Sequence, residues 1–142
     1  EANILDLYAG TGSFGLECIS RKAKRVYFVE KNRSAFEILE KNIEKLKIKK
    51  KTILFLNDVF NLIKKQNVFD SKFDLIFCDP PFNHKDTNKL IELIFKKNLL
   101  NKKGIIIIHR NKEVIEKFPD CFSIIDERVY GISKIIFGKF LF

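Results

Sequence analysis

The chain has 142 residues, 46% of them hydrophobic, and 27 Lys and Arg against 18 Asp and Glu give it a net charge of +9. That length fits one domain with a core of its own, and the apolar content excludes a disordered chain. Apolar runs such as Ile105–Ile108 fall far short of the ~20 residues that cross a bilayer, so a soluble, cytoplasmic protein with no membrane partner is expected.

Cys18, Cys78 and Cys121 are widely spaced without a C-x-x-C pair and read as small buried side chains. His84 and His109 are far apart, so no metal site is expected. No basic leader with a cleavage site opens the sequence, and the absence of Met predicts a short N-terminal segment ahead of Glu1. The positive charge favours a polyanion such as nucleic acid, although a Lys-, Ile-, Asn- and Phe-rich composition would produce the same excess.

Strands and helices are predicted to alternate with short connections. Asn3–Tyr8 suits a strand buried on both faces, followed by a helix over Ser13–Lys22. Arg25–Glu30 is a second strand, and Ser34–Lys47 carries Ala35, Ile38, Leu39, Ile43 and Leu46 at helical spacing. Thr52–Leu56 is a third strand, Val59–Lys65 a short helix, and Phe73–Cys78 a fourth strand running into Asp79-Pro80-Pro81-Phe82. A helix over Thr87–Lys97, a fifth strand over Ile105–His109 and a short helix over Val114–Phe118 follow. Phe122–Val129 and Lys134–Leu141, separated by Tyr130-Gly131, read as a hairpin. The expected fold is α/β: a Rossmann-like, mostly parallel sheet with helices on both faces. The strand inventory resembles that of class I methyltransferases, which implies that the closing hairpin is antiparallel to the rest.

In such sheets ligands bind beyond the carboxyl ends of the strands, where Asp6, Glu30, Asp58 and Asp79 are all expected. Gly10-x-Gly12-x-x-Gly15 matches a dinucleotide fingerprint, a weak signal alone. Its glycines allow backbone N–H groups near a ligand, and the helix start favours a negative group. For a nicotinamide cofactor that group is a pyrophosphate; for S-adenosylmethionine it is a carboxylate. Asp6 discriminates, because an acid there suits a ligand that also carries an ammonium and a sulfonium. Glu30 can accept from both ribose hydroxyls, and Asp58, with the Val59 N–H nearby, from an adenine amino group; each acid also suits an ordinary cap or loop.

Asp79-Pro80-Pro81-Phe82 is the sharpest motif. Two prolines fix a rigid extended turn, so the Asp79 carboxylate and the Pro80 carbonyl can converge as acceptors. A nucleobase amine is a poor nucleophile because its lone pair is delocalised into the ring. Acceptors that hold its hydrogens out of line localise that pair, and Asp79 can take up the departing proton, a contribution of roughly 10²- to 10⁴-fold. Phe82 offers a face for a base, worth about 1–3 kcal/mol.

On Ile4–Glu17, Val29-Glu30-Lys31-Asn32, Asn57-Asp58-Val59, Asp79–Phe82 and Tyr130-Gly131, the chain resembles the RsmD-type methyltransferases of small-subunit ribosomal RNA. The resemblance implies transfer of a methyl group from S-adenosylmethionine to the exocyclic N2 amine of a guanine, on ribosomal RNA or the small subunit, by a monomer. It implies that Asp6, Tyr8, Ala9, Gly10, Gly12, Glu30, Lys31, Asp58 and Val59 bind cofactor and that Asp79, Pro80, Pro81 and Phe82 are catalytic. Family members also carry an upstream substrate-binding segment with an Arg-Pro-Thr-like motif, and often an acid where this chain has His109, here read as a strand-end residue with a substrate-side role as the alternative.

The cluster Lys45, Lys47, Lys49, Lys50 and Lys51 is expected at the sheet's amino edge as a solvated face. Lys85, Arg110, Arg128 and Lys134 are the better candidates for RNA phosphates. An adenine or cytosine amino-methyltransferase and a non-catalytic RNA-binding module remain as alternatives. A nicotinamide oxidoreductase is disfavoured by Asp6 and the Asp-Pro-Pro-Phe turn.

Overall fold

A computed structural model describes residues 1–142. Its elements, in chain order, are β1 (Asn3–Leu7), α1 (Ser13–Ser20), β2 (Arg25–Glu30), α2 (Arg33–Leu46), β3 (Thr52–Leu56), α3 (Val59–Lys64), β4 (Phe73–Cys78), α4 (Thr87–Lys96), β5 (Leu100–Asn111), β6 (Phe122–Tyr130) and β7 (Ser133–Phe140). A 3₁₀ turn over Lys49–Lys51 leads into β3.

The seven strands form one sheet in the order β3-β2-β1-β4-β5-β7-β6. β1 to β5 are mutually parallel, β7 is antiparallel to β5, and β6 is antiparallel to β7. The expected mostly parallel α/β sheet with an antiparallel closing hairpin is therefore present. Strand order reverses between β1 and β4, which places the residues following both strands side by side at a crevice.

Side-chain alternation along the strands sorts the core into two layers. In β2, Val26 and Phe28 join Ile4, Ile19, Leu39 and Ile43 beneath α1 and α2. Tyr27 and Val29 face the other way, into the larger cluster with Leu5, Leu7, Leu62, Ile63, Leu90 and Ile94 under α3 and α4. Each fully buried aliphatic side chain there contributes about 1.5–3 kcal/mol by leaving water. The apolar spacing expected over Ser34–Lys47 does form α2, whose ends the structure adds: Asn32 Oδ1 accepts from the Ala35 N–H at 3.0 Å, and Lys47 closes the helix in the left-handed conformation at φ 58°. The Lys49–Lys51 part of the lysine cluster lies at the start of β3, hence at the amino edge, as expected.

One predicted element is absent: residues 114–118 form no helix. Five residues before Pro119 repay little of the cost of nucleation, and a residue preceding proline avoids helical torsions. Tertiary contacts also compete for this stretch. Glu116 pairs with Arg110, and Lys134 Nζ donates to the Val114 carbonyl at 2.7 Å. β5 in turn is longer than expected, because Leu100 already pairs with Phe73 ahead of an irregularity in the ladder. No helix is long and apolar enough to cross a membrane.

Candidate active site at the β1/β4 switch point

The loop after β1 is a network of backbone donors around two acids. Glu30, the last residue of β2, accepts from the Gly10 N–H through Oε1 (2.7 Å) and from the Asn32 N–H through Oε2 (2.8 Å). Asp6 lies one residue before the end of β1, and its Oδ2 accepts from the Gly15 N–H at 3.1 Å. Ala9 N–H donates to the Val29 carbonyl, and Gly12 N–H to the Ala9 carbonyl. The N–H groups of Thr11 and Ser13 have no partner within the protein.

Gly12 is required by both torsion and space. Its φ is 93°, and a Cβ there would run into the Leu39 side chain of α2. At Gly10, with φ 59°, a Cβ would meet no atom within 4 Å, so this backbone faces open space.

Asp6 is only 1% exposed and its Oδ1 has no hydrogen-bond partner. Burial is the chief reason its pKa rises to about 7. The Gly15 N–H opposes that rise, and the negative charges of Asp79 and Glu30 reinforce it. Tyr8, itself left-handed at φ 61°, has its phenol pushed upward mainly by burial. Asp58 caps α3, with Oδ2 accepting from the Asn61 N–H at 3.0 Å.

β4 delivers the second half. Cys78 pairs in register with Leu7, and the Asp79 N–H approaches the Leu7 carbonyl, so the Asp-Pro-Pro-Phe turn leaves the sheet beside the glycine loop. Tyr8, Val29, Glu30, Lys31, Asn57, Val59, Asp79 and Pro81 line one cleft of about 220 Å³ between them. The structure thus brings Tyr8, Glu30, Lys31, Val59, Asp79 and Pro81 of the expected set onto common walls. Asp6, Ala9, Gly10, Gly12, Asp58 and Pro80 support or adjoin those walls rather than line them. Larger hollows occur elsewhere, such as the one between α2 and β3, but they hold none of these acids from the strand ends. Pro80 is buried and its carbonyl accepts from no group of the protein. Phe82 is 55% exposed and stands free of the aromatic contacts that bury other phenylalanines.

Two residues near the end of β5, His109 and Arg110, hold this turn, and neither part was expected from the sequence. Asp79 Oδ1 lies 2.8 Å from His109 Nδ1, and His109 Nε2 lies 2.8 Å from Ser133 Oγ on β7. Arg110, 1% exposed, donates to the Pro81 carbonyl (3.1 Å) and the His84 carbonyl (2.6 Å), and pairs with Glu116 at 2.7 Å. The His84 ring sits against Tyr8, and burial is the main reason its pKa is lowered. Because Cys78 pairs with Ile108, the next residues along each chain segment, Asp79 and His109, are neighbours; the register of two parallel strands was the signal that could have joined them.

This geometry corrects two expected phosphate contacts. Arg110 is buried, with its guanidinium bound inside the turn. The Lys134 side chain is held by the Val114 carbonyl, with Glu127 at 3.8 Å. Arg128 is exposed but paired with Asp126, whereas Lys85 is exposed and makes no ion pair.

The family model described as Conserved hypothetical protein 95 matches residues 1–139. A ribosomal RNA small subunit methyltransferase D from Haemophilus influenzae is 30% identical over 132 residues, which are 93% of this chain and 68% of that protein. The chain belongs to the RsmD family. A Buchnera aphidicola protein of the same name is 35% identical over 88% of this chain and 64% of its own length, so this RsmD-family chain spans about two thirds of the relatives it matches. A solved structure of a provisionally assigned methylase from Haemophilus influenzae superposes with a TM-score of 0.88 at 27% identity, covering 100% of this chain and 88% of that one. The RsmD-family sheet here is accordingly a class I methyltransferase sheet, and its carboxyl edge is where the family's chemistry is to be sought.

Proposed function

We propose that this chain transfers a methyl group from S-adenosylmethionine to the exocyclic N2 amine of a guanine in small-subunit ribosomal RNA. The observation that carries the reading is one cleft walled by Glu30 at the end of β2 and Asp79 after β4. The names of the relatives support the methyl transfer and the ribosomal RNA, and the Asp-Pro-Pro-Phe turn supports a planar amine as acceptor.

The chain's own groups fit the cofactor. Glu30 keeps lone pairs beyond its two backbone bonds and is suited to accept sugar hydroxyls. The free N–H groups of Thr11 and Ser13, at the start of α1, suit a carboxylate. The unpartnered Asp6 Oδ1 lies beneath the same loop and favours positive charge nearby. Val59 and Asn57 offer the wall for a flat ring, with Asp58 adjacent. When bound, S-adenosylmethionine supplies an electrophilic methyl group on sulfur.

The remaining work falls to the turn. The Asp79 carboxylate and the unengaged Pro80 carbonyl accept the two amine hydrogens and draw them out of the ring plane, so that the nitrogen pyramidalises and its lone pair is no longer delocalised into the ring. Asp79 then receives the proton that the amine releases, while Phe82 stacks on the base. Alignment of these groups supplies the rest of the rate.

The test is methyl transfer from radiolabelled cofactor to small ribosomal subunits and to naked ribosomal RNA, both from a strain lacking the native enzyme. Label in N2-methylguanine is the expected outcome. Label only in adenine or cytosine would replace the base, and an unlabelled RNA fraction would end the proposal.

A further inference from the structure

We infer that His109, held by Ser133, is the positioning residue that fixes the Asp79 carboxylate for methyl transfer. The inference rests on the proposed role of Asp79 and adds a part that lies on the far side of the strand pair. An ionised carboxylate can only accept, so His109 Nδ1 carries the proton between them at 2.8 Å. In the neutral ring Nε2 is then an acceptor, and the Ser133 hydroxyl donates a hydrogen bond to it, also at 2.8 Å. One tautomer satisfies both contacts.

The geometry gives Asp79 a reason to need this partner. Its side chain is 42% exposed, and Oδ1 makes no other hydrogen bond that could hold the rotamer. The backbone beneath it cannot help by donation from the next two residues, because Pro80 and Pro81 lack N–H groups. The imidazole ring is 25% exposed and rooted in β5, beside β7, so it is a stiff post rather than a floppy side chain. Fixing Oδ1 leaves Oδ2 as the oxygen turned toward an amine. Ser133 pairs with Asn111 of β5 on one side and across the hairpin with Tyr130 on the other, so the closing hairpin reaches the proposed site through this one hydroxyl.

Two groups of variants and two readouts separate this from a structural role. In His109→Leu the donor is gone while the bulk remains, and kcat should fall about 10- to 100-fold with cofactor affinity unchanged. In His109→Asn an amide N–H stands near the place of Nδ1–H, and kcat should return to within about 5-fold of the parent. Ser133→Ala removes only the hydroxyl and should cost a few-fold, again in kcat.

The second readout needs no RNA. Nitrogen-15 spectra of the imidazole should report the Nδ1–H tautomer in the parent chain and lose that preference in Asp79→Ala. An Nε2–H tautomer in the parent, or an unaltered spectrum in Asp79→Ala, would overturn the assignment. So would parental kcat in His109→Leu, or His109→Asn being as slow as His109→Leu. A parent chain that methylates no RNA would sink the proposed function instead, and the tautomer would still decide whether His109 holds Asp79.

Discussion

The carboxyl edge of the sheet is built in two different ways on either side of the β1/β4 boundary. On the β1–β3 side, each acid is tied to backbone close in sequence or one strand away: Asp6 to Gly15, Glu30 to Gly10 and Asn32, Asp58 to Asn61. On the β4–β7 side the polar groups hold one another across long separations, Asp79 to His109, His109 to Ser133 and Arg110 to the Pro81 and His84 carbonyls. The first side is a loop shaped by its own acids. The second is a turn braced from outside, and under the proposed function a change there should alter rate or stability before it alters cofactor affinity.

The sharpest attempt to break that division is Asp79→Ala. If Asp79 serves the acceptor, methyl transfer should fall by at least about 10²-fold, while calorimetry finds cofactor affinity within a few-fold of the parent. Equal loss of both would merge the two sides into one structural unit.

Arg110→Met tests the bracing itself. The guanidinium is buried against Glu116, so its removal leaves a largely buried carboxylate alone and frees two carbonyls of the turn. Chemical denaturation should show a loss of about 3–5 kcal/mol. Pairing it with Glu116→Gln should recover part of that loss, because the stranded charge is then gone. No recovery would mean that the carbonyl contacts, rather than the ion pair, carry the cost.

The same division explains what could be read in advance. The alternation of strands and helices, the glycine loop and the acids at the strand ends are local patterns, and each survives in a single stretch of sequence. The glycine loop and the apolar spacing of Ser34–Lys47 lie where the structure puts the turn at Gly12 and the α2 helix. The bracing is not local. Arg110 looks like any surface arginine near a lysine-rich stretch until Pro81, His84 and Glu116 are brought around it. The helix expected at 114–118 failed for the same reason, since its Glu116 and Val114 were claimed by partners on β5 and β7. His109 could have been joined to Asp79 from strand register alone, but Ser133 could not, because it depends on where an antiparallel hairpin docks.

On the other side of the boundary, Glu30→Ala should weaken cofactor binding by about 10-fold or more, the worth of a charge-assisted hydrogen bond at about 1.5–3 kcal/mol. The rate at saturating cofactor should move much less. Unchanged affinity would remove Glu30 from the proposed ribose role and leave it as a brace for the Gly10 and Asn32 N–H groups.

The smallest expected effect comes from Asp6, and its sign follows from burial. Its folded pKa is raised from 3.8 to about 7, so between those values the folded chain keeps a proton that the unfolded chain has lost. Folding then takes up a proton, and stability must decline as pH rises through that window, with the full contribution present only below the unfolded value. Above about pH 7 both states are ionised and the decline stops. Asp6→Asn cannot ionise, yet its amide oxygen can still accept from the Gly15 N–H. Thermal unfolding across pH 4.5 to 7.5 should therefore show a shallower decline in the variant than in the parent. If the two slopes coincide, Asp6 is ionised throughout, and a charge beneath the glycine loop must be compensated by a group other than Gly15.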